Sequence, residues 1–533
     1  MTGSVPLHPA PVVTSNARDT YSRTTLLLAL GLLLLRFAYL AGPDLFPEEA
    51  YYWNYAKHLD FGYLDHPPLV GWLIYLGTSI FGNGEFGVRV AALVCSVITA
   101  GFTYLATSSF FGRRSGVLGI LLVQVLPFFF MTGVIMTPDS SLTACWAGML
   151  YFLTRAIFKQ STWAWLGVGI CLGLGMLSKY TIALLGPSTL LFLLLDPASR
   201  VWFRRAAPYL SVLLAALIFS PVVAWNAAHD WASFSFQTGD RIAAATRFSF
   251  QHLAGGVLLF LTPVGIIVGA KSLMGWAKLP QLSEPAICDQ PRFLLFTRIF
   301  VLMPLSVFVL FSLQHAVKLN WTGPLWLALV PMIAAQLSDQ TSRFGALLRR
   351  GWLLSIGVLS IVYVALLTYL AVGLPGVPYW SRTELLPVGW SEMGRELSIQ
   401  KAECSGNSLK KTIVVGLDRN FIASEAAFYQ TDQTQAVSET TGAHLFGGIS
   451  LMYEKWLPAK DQEGATMLLV SFRRQDLNKG RVRDRCENMG PIKECWIERD
   501  GIKIRPYYTR IAYPYRYKAF PERAGKNAGA GKE

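Results

Sequence analysis

The densest run of groups able to do chemistry is FPEEAYYWNYAKHLDFGYLDHPPL, residues 46–69. Glu48 and Glu49 stand side by side, Tyr51, Tyr52 and Trp53 follow, and Asp65, His66, Pro67 and Pro68 close the run. A carboxylate within hydrogen-bond reach of an attacking hydroxyl can take its proton as a general base. The same two acids also suit the first turn of a short helix beginning after Pro47, because a helix N-terminus carries partial positive charge. Spacing alone leaves both uses open. His66 has no second His or Cys at ligand spacing, so it reads as a structural partner and not as a metal ligand. Another acid stands in MTPDSS, where Asp139 can cap a helix and still turn an oxygen to a ligand.

Cations complement these acids. Lys179 interrupts an apolar stretch, Lys318 lies in HAVKLNW, and Arg241 and Arg247 follow Trp231. Snorkelling to the interface is the ordinary use of a lysine near a bilayer. An ionisable group inside a membrane segment is nevertheless costly to insert, which makes it a functional candidate. At the headgroup level such cations would hold a phosphate and stabilise charge developing on it as it leaves. Arg89, in EFGVR, is expected to form a structural ion pair with an external acid.

The elements that must position these groups are set by composition. Of the 533 residues 53% are hydrophobic and only 15% are charged, against about a quarter charged in a soluble domain. The chain is therefore read as a polytopic α-helical membrane protein. Its net charge of +14 gathers in short loops between apolar runs, as the positive-inside rule requires, and no nucleic-acid partner is implied. Spans are expected near 24–42, 88–110, 115–131, 140–158, 163–178, 180–195, 208–225, 252–270, 298–314, 321–337 and 351–373. About eleven crossings that start inside end outside. External segments are then 43–87, 132–139, 226–251, 315–320 and everything from 374 onward. Within the first of these, residues 71–81 are amphipathic enough to lie along the interface.

Residues 1–23 read as a disordered cytoplasmic tail, followed by a retained first span and not a cleaved signal peptide. Residues 24–373 form the membrane domain, 374–520 a soluble periplasmic α/β domain, and 521–533 a disordered tail. Strands are expected at 412–417, 466–472, 495–505 and 507–517, with a helix over 424–429. Of the seven cysteines, Cys404, Cys486 and Cys495 fall in this domain, where one pair could form a disulfide.

Taken in order, EEAYYW, YLDHPPLVGWLI, FGNGEFGVR, TPDSSL, GLGLGMLSKYT, SPVVAWNAAHDWASFSFQ and KLNWTGPLW resemble bacterial members of the dolichyl-phosphate-mannose protein mannosyltransferase superfamily. That group includes the lipid A aminoarabinose transferase and the lipopolysaccharide galacturonic acid transferases. The resemblance implies a GT-C glycosyltransferase fold and inverting transfer of a sugar from a polyprenyl-phosphate carrier to an extracytoplasmic acceptor. Lipid A or lipopolysaccharide core is the expected acceptor. It implies Glu48 as catalytic base, in place of the Asp usual in the family's acidic pair, with Asp139 as the second catalytic acid. Glu49, Tyr52, Asp65, His66, Lys179, Arg241 and Lys318 are then the expected substrate contacts. No cofactor is required, no metal ligand set is evident, and a single chain suffices to hold the site in the inner membrane. A protein O-glycosyltransferase of the same fold and a transporter of lipid or sugar are the alternatives. A transporter would more often show paired repeats with broken helices, and none is evident.

Overall fold

The computed structural model describes residues 15–240, 247–276, 290–338, 343–380, 386–405, 411–499 and 501–519. Of the expected site residues, Arg241 lies outside them, as do both expected disordered tails except for residues 15–23 of the first, which are helical. The membrane part is a bundle built on helices α1 (Ser15–Tyr39), α2 (Pro47–Lys57), α3 (Leu69–Phe81), α4 (Glu85–Val125), α5 (Pro127–Met131), α6 (Pro138–Phe158), α7 (Ala164–Ser178), α8 (Leu185–Leu195) and α9 (Ala207–Ala228). Further long helices run over Phe250–Met274, Gln290–Ser312 and Arg343–Val372. Among the described residues seven helices are long and apolar enough to cross a membrane, or up to eight if one bent pair counts as a single span.

The expected spans map onto this bundle unevenly, and the backbone shows why. Spans expected at 88–110 and 115–131 meet at Gly112, which interrupts α4 at φ 77°, a left-handed conformation open to glycine without steric cost. The chain folds back there. Gly116 packs against Ser108 and Tyr104, and Gly119 against Thr107 and Thr103, so α4 is a hairpin of two arms with basic Arg113 and Arg114 at its bend. The expected spans at 163–178 and 180–195 are short pieces: α7 has 15 residues, and the apolar run after it bends by 114° into a second helix at Pro197–Arg204. The one expected at 321–337 is broken into two 3₁₀ turns and the helix Val330–Ser338.

Outside the bundle, α2 and α3 form a shelf. Pro47 starts α2, Glu48 and Glu49 occupy its first turn, and the Phe46 amide donates to Glu49 Oε2 at 3.0 Å, satisfying one donor the helix leaves open. Along α3, Tyr75, Leu76, Ile80 and Phe81 are exposed while Val70, Gly71, Ile74, Gly77 and Thr78 are buried. That is the face arrangement of a helix resting on an apolar surface.

The C-terminal domain is a six-stranded sheet, ordered β2-β1-β3-β6-β4 with β5 also on β6. Its strands are β1 Thr412–Gly416, β2 Thr440–Thr441, β3 Thr466–Ser471, β4 Cys486–Met489, β5 Lys493–Arg499 and β6 Ile502–Tyr515. β1, β2 and β3 are parallel, and β6 runs antiparallel to β3, β4 and β5. All of β1 and β3 is buried, as continuous apolar strands covered on both faces should be. The last hairpin differs from the expected break between 505 and 507. The turn lies at Gly501, φ 77°, and Pro506 sits within β6 opposite Trp496. Cys404, Cys486 and Cys495 are free thiols.

Candidate active site

Five stretches of chain converge on one cleft, one of them contributing Gln237. The first turn of α2 brings Glu48 and Tyr52, the loop after it His66 and Pro67, and the start of α6 Thr137, Pro138 and Asp139. Lys179 and Tyr180 follow from the end of α7, and Lys318, Asn320 and Trp321 from the segment before the broken 321–337 stretch. Lys179 ends α7 in extended backbone, φ −159° and ψ 132°, which turns its side chain across to α6. Pro138 opens α6 and Asp139 sits in its first turn, where a carboxylate is favoured by the exposed amides.

The two carboxylates of the cleft are held very differently. Asp139 is buried; Lys179 Nζ donates to its Oδ1 at 2.8 Å and Asn320 Nδ2 to its Oδ2 at 2.6 Å. Each oxygen thus accepts a charge-bearing or amide donor, which fixes the carboxylate in direction. Glu48 is half exposed and, among the described residues, its ion-pair partner is Lys318, at 3.6 Å in a pair whose lysine is 67% exposed. An exposed pair of this kind contributes little stability and yields readily to a ligand. Lys318 and Asn320, two residues apart, therefore reach both acids from one short strap. That strap is tied down from behind by Ser249, whose Oγ donates to the His315 carbonyl at 2.6 Å and accepts from the Val317 amide at 3.1 Å.

The other expected contacts are placed as follows. Tyr52 and His66 line the cleft with ring centroids 5.7 Å apart, edge to face. Asp65 lies behind the cleft wall: Tyr51 and Tyr55 donate to its Oδ1 at 2.9 and 2.6 Å. Burial holds its carboxyl above the usual carboxylate range, against the opposing pull of those two phenols. Its backbone carbonyl accepts from Gln237, a cleft residue. Glu49 faces away from the cleft and is fully buried. Arg89 binds it through Nε and Nη2, at 3.0 and 2.7 Å, while Met136 donates its amide to Oε1 at 2.9 Å. The remaining donors of Arg89 reach the carbonyls of Leu40, Pro43 and Asp44 at 3.1, 2.8 and 2.6 Å. This pair locks the end of α1, the first turn of α2, the start of α4 and the approach to α6 into one body, so it fixes where Glu48 and Asp139 stand.

Asn320, Gln237 and Tyr180 are cleft residues that the sequence reading passed over. Asn320 and Tyr180 belong to KLNW and SKYT, strings quoted for their lysines, and an amide two residues from a cation in a short external segment was the available signal. Gln237 is the last residue of SPVVAWNAAHDWASFSFQ, where nothing in its type or spacing set it apart. Among the described residues no group of three or more His, Cys, Asp or Glu is placed to hold a metal ion.

This arrangement can accept a proton at Glu48, orient a polar ligand at Asp139 and neutralise an anion with Lys179 and Lys318. Parts of the chain are similar to known proteins. A family model described as dolichyl-phosphate-mannose-protein mannosyltransferase matches residues 65–225, less than half of the chain. The lipid A galacturonosyltransferase RgtD of Rhizobium johnstonii is 29% identical over 224 residues, 39% of this chain and 44% of that protein. An undecaprenyl phosphate-alpha-4-amino-4-deoxy-L-arabinose arabinosyl transferase of Pseudomonas fluorescens is 26% identical over 337 residues, 59% of this chain and 54% of that protein. The match thus spans about half the length of these curated relatives. The crystal structure of ArnT from Cupriavidus metallidurans bound to undecaprenyl phosphate superposes with a TM-score of 0.62 at 17% identity, covering 92% of this chain and 98% of the other. The chain is a polytopic helical membrane protein with a GT-C-like fold and a C-terminal β-rich domain.

Proposed function

We propose that this chain transfers a sugar from a polyprenyl-phosphate carrier to a hydroxyl or phosphate oxygen of an acceptor outside the cytoplasm. One observation carries the reading: Glu48 and Asp139, from separate segments of the chain, line one cleft with Lys179 and Lys318. The acceptor oxygen attacks the anomeric carbon, the bond from that carbon to the phosphate oxygen breaks with its electron pair going to phosphate, and the configuration inverts. Glu48, free on one side, takes the acceptor's proton. Lys318 leaves Glu48 as substrate enters and meets the carrier phosphate, where it and Lys179 stabilise the charge that develops. Asp139, with both oxygens already engaged, orients a sugar hydroxyl and does not collect the proton. Tyr52 and His66 form the wall against which the sugar packs.

The finer reading is a bacterial inner-membrane enzyme whose cleft and C-terminal α/β domain face the periplasm, with lipid A or lipopolysaccharide core as acceptor. It is supported by the similarity to transferases whose names state lipid A or lipopolysaccharide core as substrate. The test is reconstitution in proteoliposomes with extracted polyprenyl-phosphate sugars and a glycolipid fraction, followed by mass analysis. A glycolipid heavier by one glycosyl unit, formed only when the lipid-linked donor is present, is the expected product. Modification of protein and not of glycolipid would move the acceptor to a protein side chain, and product without the lipid donor would overturn the reaction class.

A further inference from the structure

The C-terminal domain is fastened to the shelf that carries Glu48. Its helix Phe421–Tyr429 packs along α2, with the Trp53 and Phe428 rings 5.1 Å apart, edge to face. Tyr429 Oη accepts the Leu45 amide at 2.7 Å and donates to Glu85 Oε1 at 3.0 Å. Met452, from the same domain, donates its amide to Tyr51 Oη at 3.3 Å and receives the Leu64 amide on its sulfur at 3.2 Å. In the middle of this seam stands Glu425, 1% exposed. Among the described residues neither of its carboxyl oxygens has a hydrogen-bond partner.

Such a place disfavours an ionised carboxylate. Burial opposes its charge, and so do Asp44 from the segment after α1, Glu49 from α2 and Glu85 from α4; Arg89 alone pulls the other way, and its guanidinium is already committed to Glu49. From the domain side Tyr453 and Tyr429 are the facing titratable groups, both phenols. Glu392, on the helix Trp390–Ser405, bears on Asp44, whose Oδ2 accepts the Trp390 amide at 2.9 Å.

We propose that Glu425 is a positioning residue: as a neutral acid it lets the C-terminal domain seat on α2 and so holds Glu48 in the cleft, and ionised it unseats the domain. The sign follows from linkage. Burial raises the seated carboxyl, so below the ordinary carboxylate range both states hold the proton and seating is independent of pH. Above that range unseating releases one proton, and the unseated fraction grows about tenfold per pH unit until the seated group itself ionises.

The effect on Glu48 rests on the reading of the cleft given above; the seating does not, and it is measured without turnover. Hydrogen exchange in the full-length protein in lipid nanodiscs, corrected for its intrinsic pH dependence, is followed over residues 44–58 and 421–429 from pH 6 to 9. Opening at both segments is expected to rise about tenfold per unit in the wild type and to stay flat in Glu425→Gln and in Glu425→Met, while Asp44→Asn keeps the wild-type slope. A flat wild type, an equal slope in the Gln and Met variants, or a slope that follows Asp44 would each overturn the latch. The rate of sugar transfer by Glu425→Gln relative to wild type is expected to climb with pH in step with the exchange contrast. Parallel activity profiles would overturn the positioning role. Exchange contrast with no transfer by either protein would support the latch and sink the cleft reading alone.

Discussion

Glu48→Gln leaves a folded protein at wild-type level and lowers sugar transfer by about 10²- to 10⁴-fold, the contribution typical of a positioned general base. The amide keeps the shape of the carboxylate and cannot take a proton. It also gives up only a half-exposed contact with Lys318, worth little to stability, so expression and thermal unfolding should be unchanged. Binding of polyprenyl phosphate alone should be equal or tighter in the variant, because Lys318 no longer has a carboxylate to leave. The measurement is turnover with a lipid-linked donor in proteoliposomes beside donor binding by the same preparation. Retained turnover would shift the proton to another acceptor, and a parallel loss of donor binding would recast Glu48 as a binding group.

Arg89→Met, at the start of α4, should be strongly destabilising. It strands Glu49, fully buried, with no cation, and removes three bonds to the backbone carbonyls of Leu40, Pro43 and Asp44. Breaking a buried ion pair from one side costs about 3–5 kcal/mol, enough to lower both yield and melting temperature severely. Replacing both partners removes the uncompensated charge, so Glu49→Leu with Arg89→Met should be clearly more stable than Arg89→Met alone. Thermal unfolding of the four proteins in one detergent decides this. A double variant no better than the single one would mean that the backbone bonds of Arg89, and not its charge partner, carry the cost.

These two neighbours, Glu48 and Glu49, also show where sequence reading stops. The string PEEAYYW places both acids at the membrane surface, and Pro47 with two acids after it predicts the start of α2. Which acid turns inward depends on how the helix is rotated against Arg89, forty positions away, and nothing local encodes that contact. Asp139 and the lysines at 179 and 318 were legible because a charge bordering an apolar run is conspicuous. Asn320 and Gln237 were not, since an uncharged amide in an external loop is ordinary. In the same way, the apolar runs at 88–110 and 115–131 were visible as two elements and the bend at Gly112 agrees with them, whereas the break of 321–337 into two 3₁₀ turns and a helix was not visible in a continuous apolar run. In the C-terminal domain, buried strands β1 and β3 announced themselves by continuous apolar residues. The β5–β6 hairpin was placed between 505 and 507, whereas the turn lies at Gly501 and Pro506 pairs within the ladder opposite Trp496.

In the proposed reaction the bond broken joins the sugar to the carrier phosphate, at the cleft of Glu48 and Lys318. A donor labelled separately in its sugar and in its phosphorus tests this in one assay with purified, reconstituted protein. The expected result is sugar label in the acceptor and phosphorus label left on polyprenyl phosphate, in equal amounts. Phosphorus travelling with the sugar, or sugar label that never leaves the carrier, would contradict it.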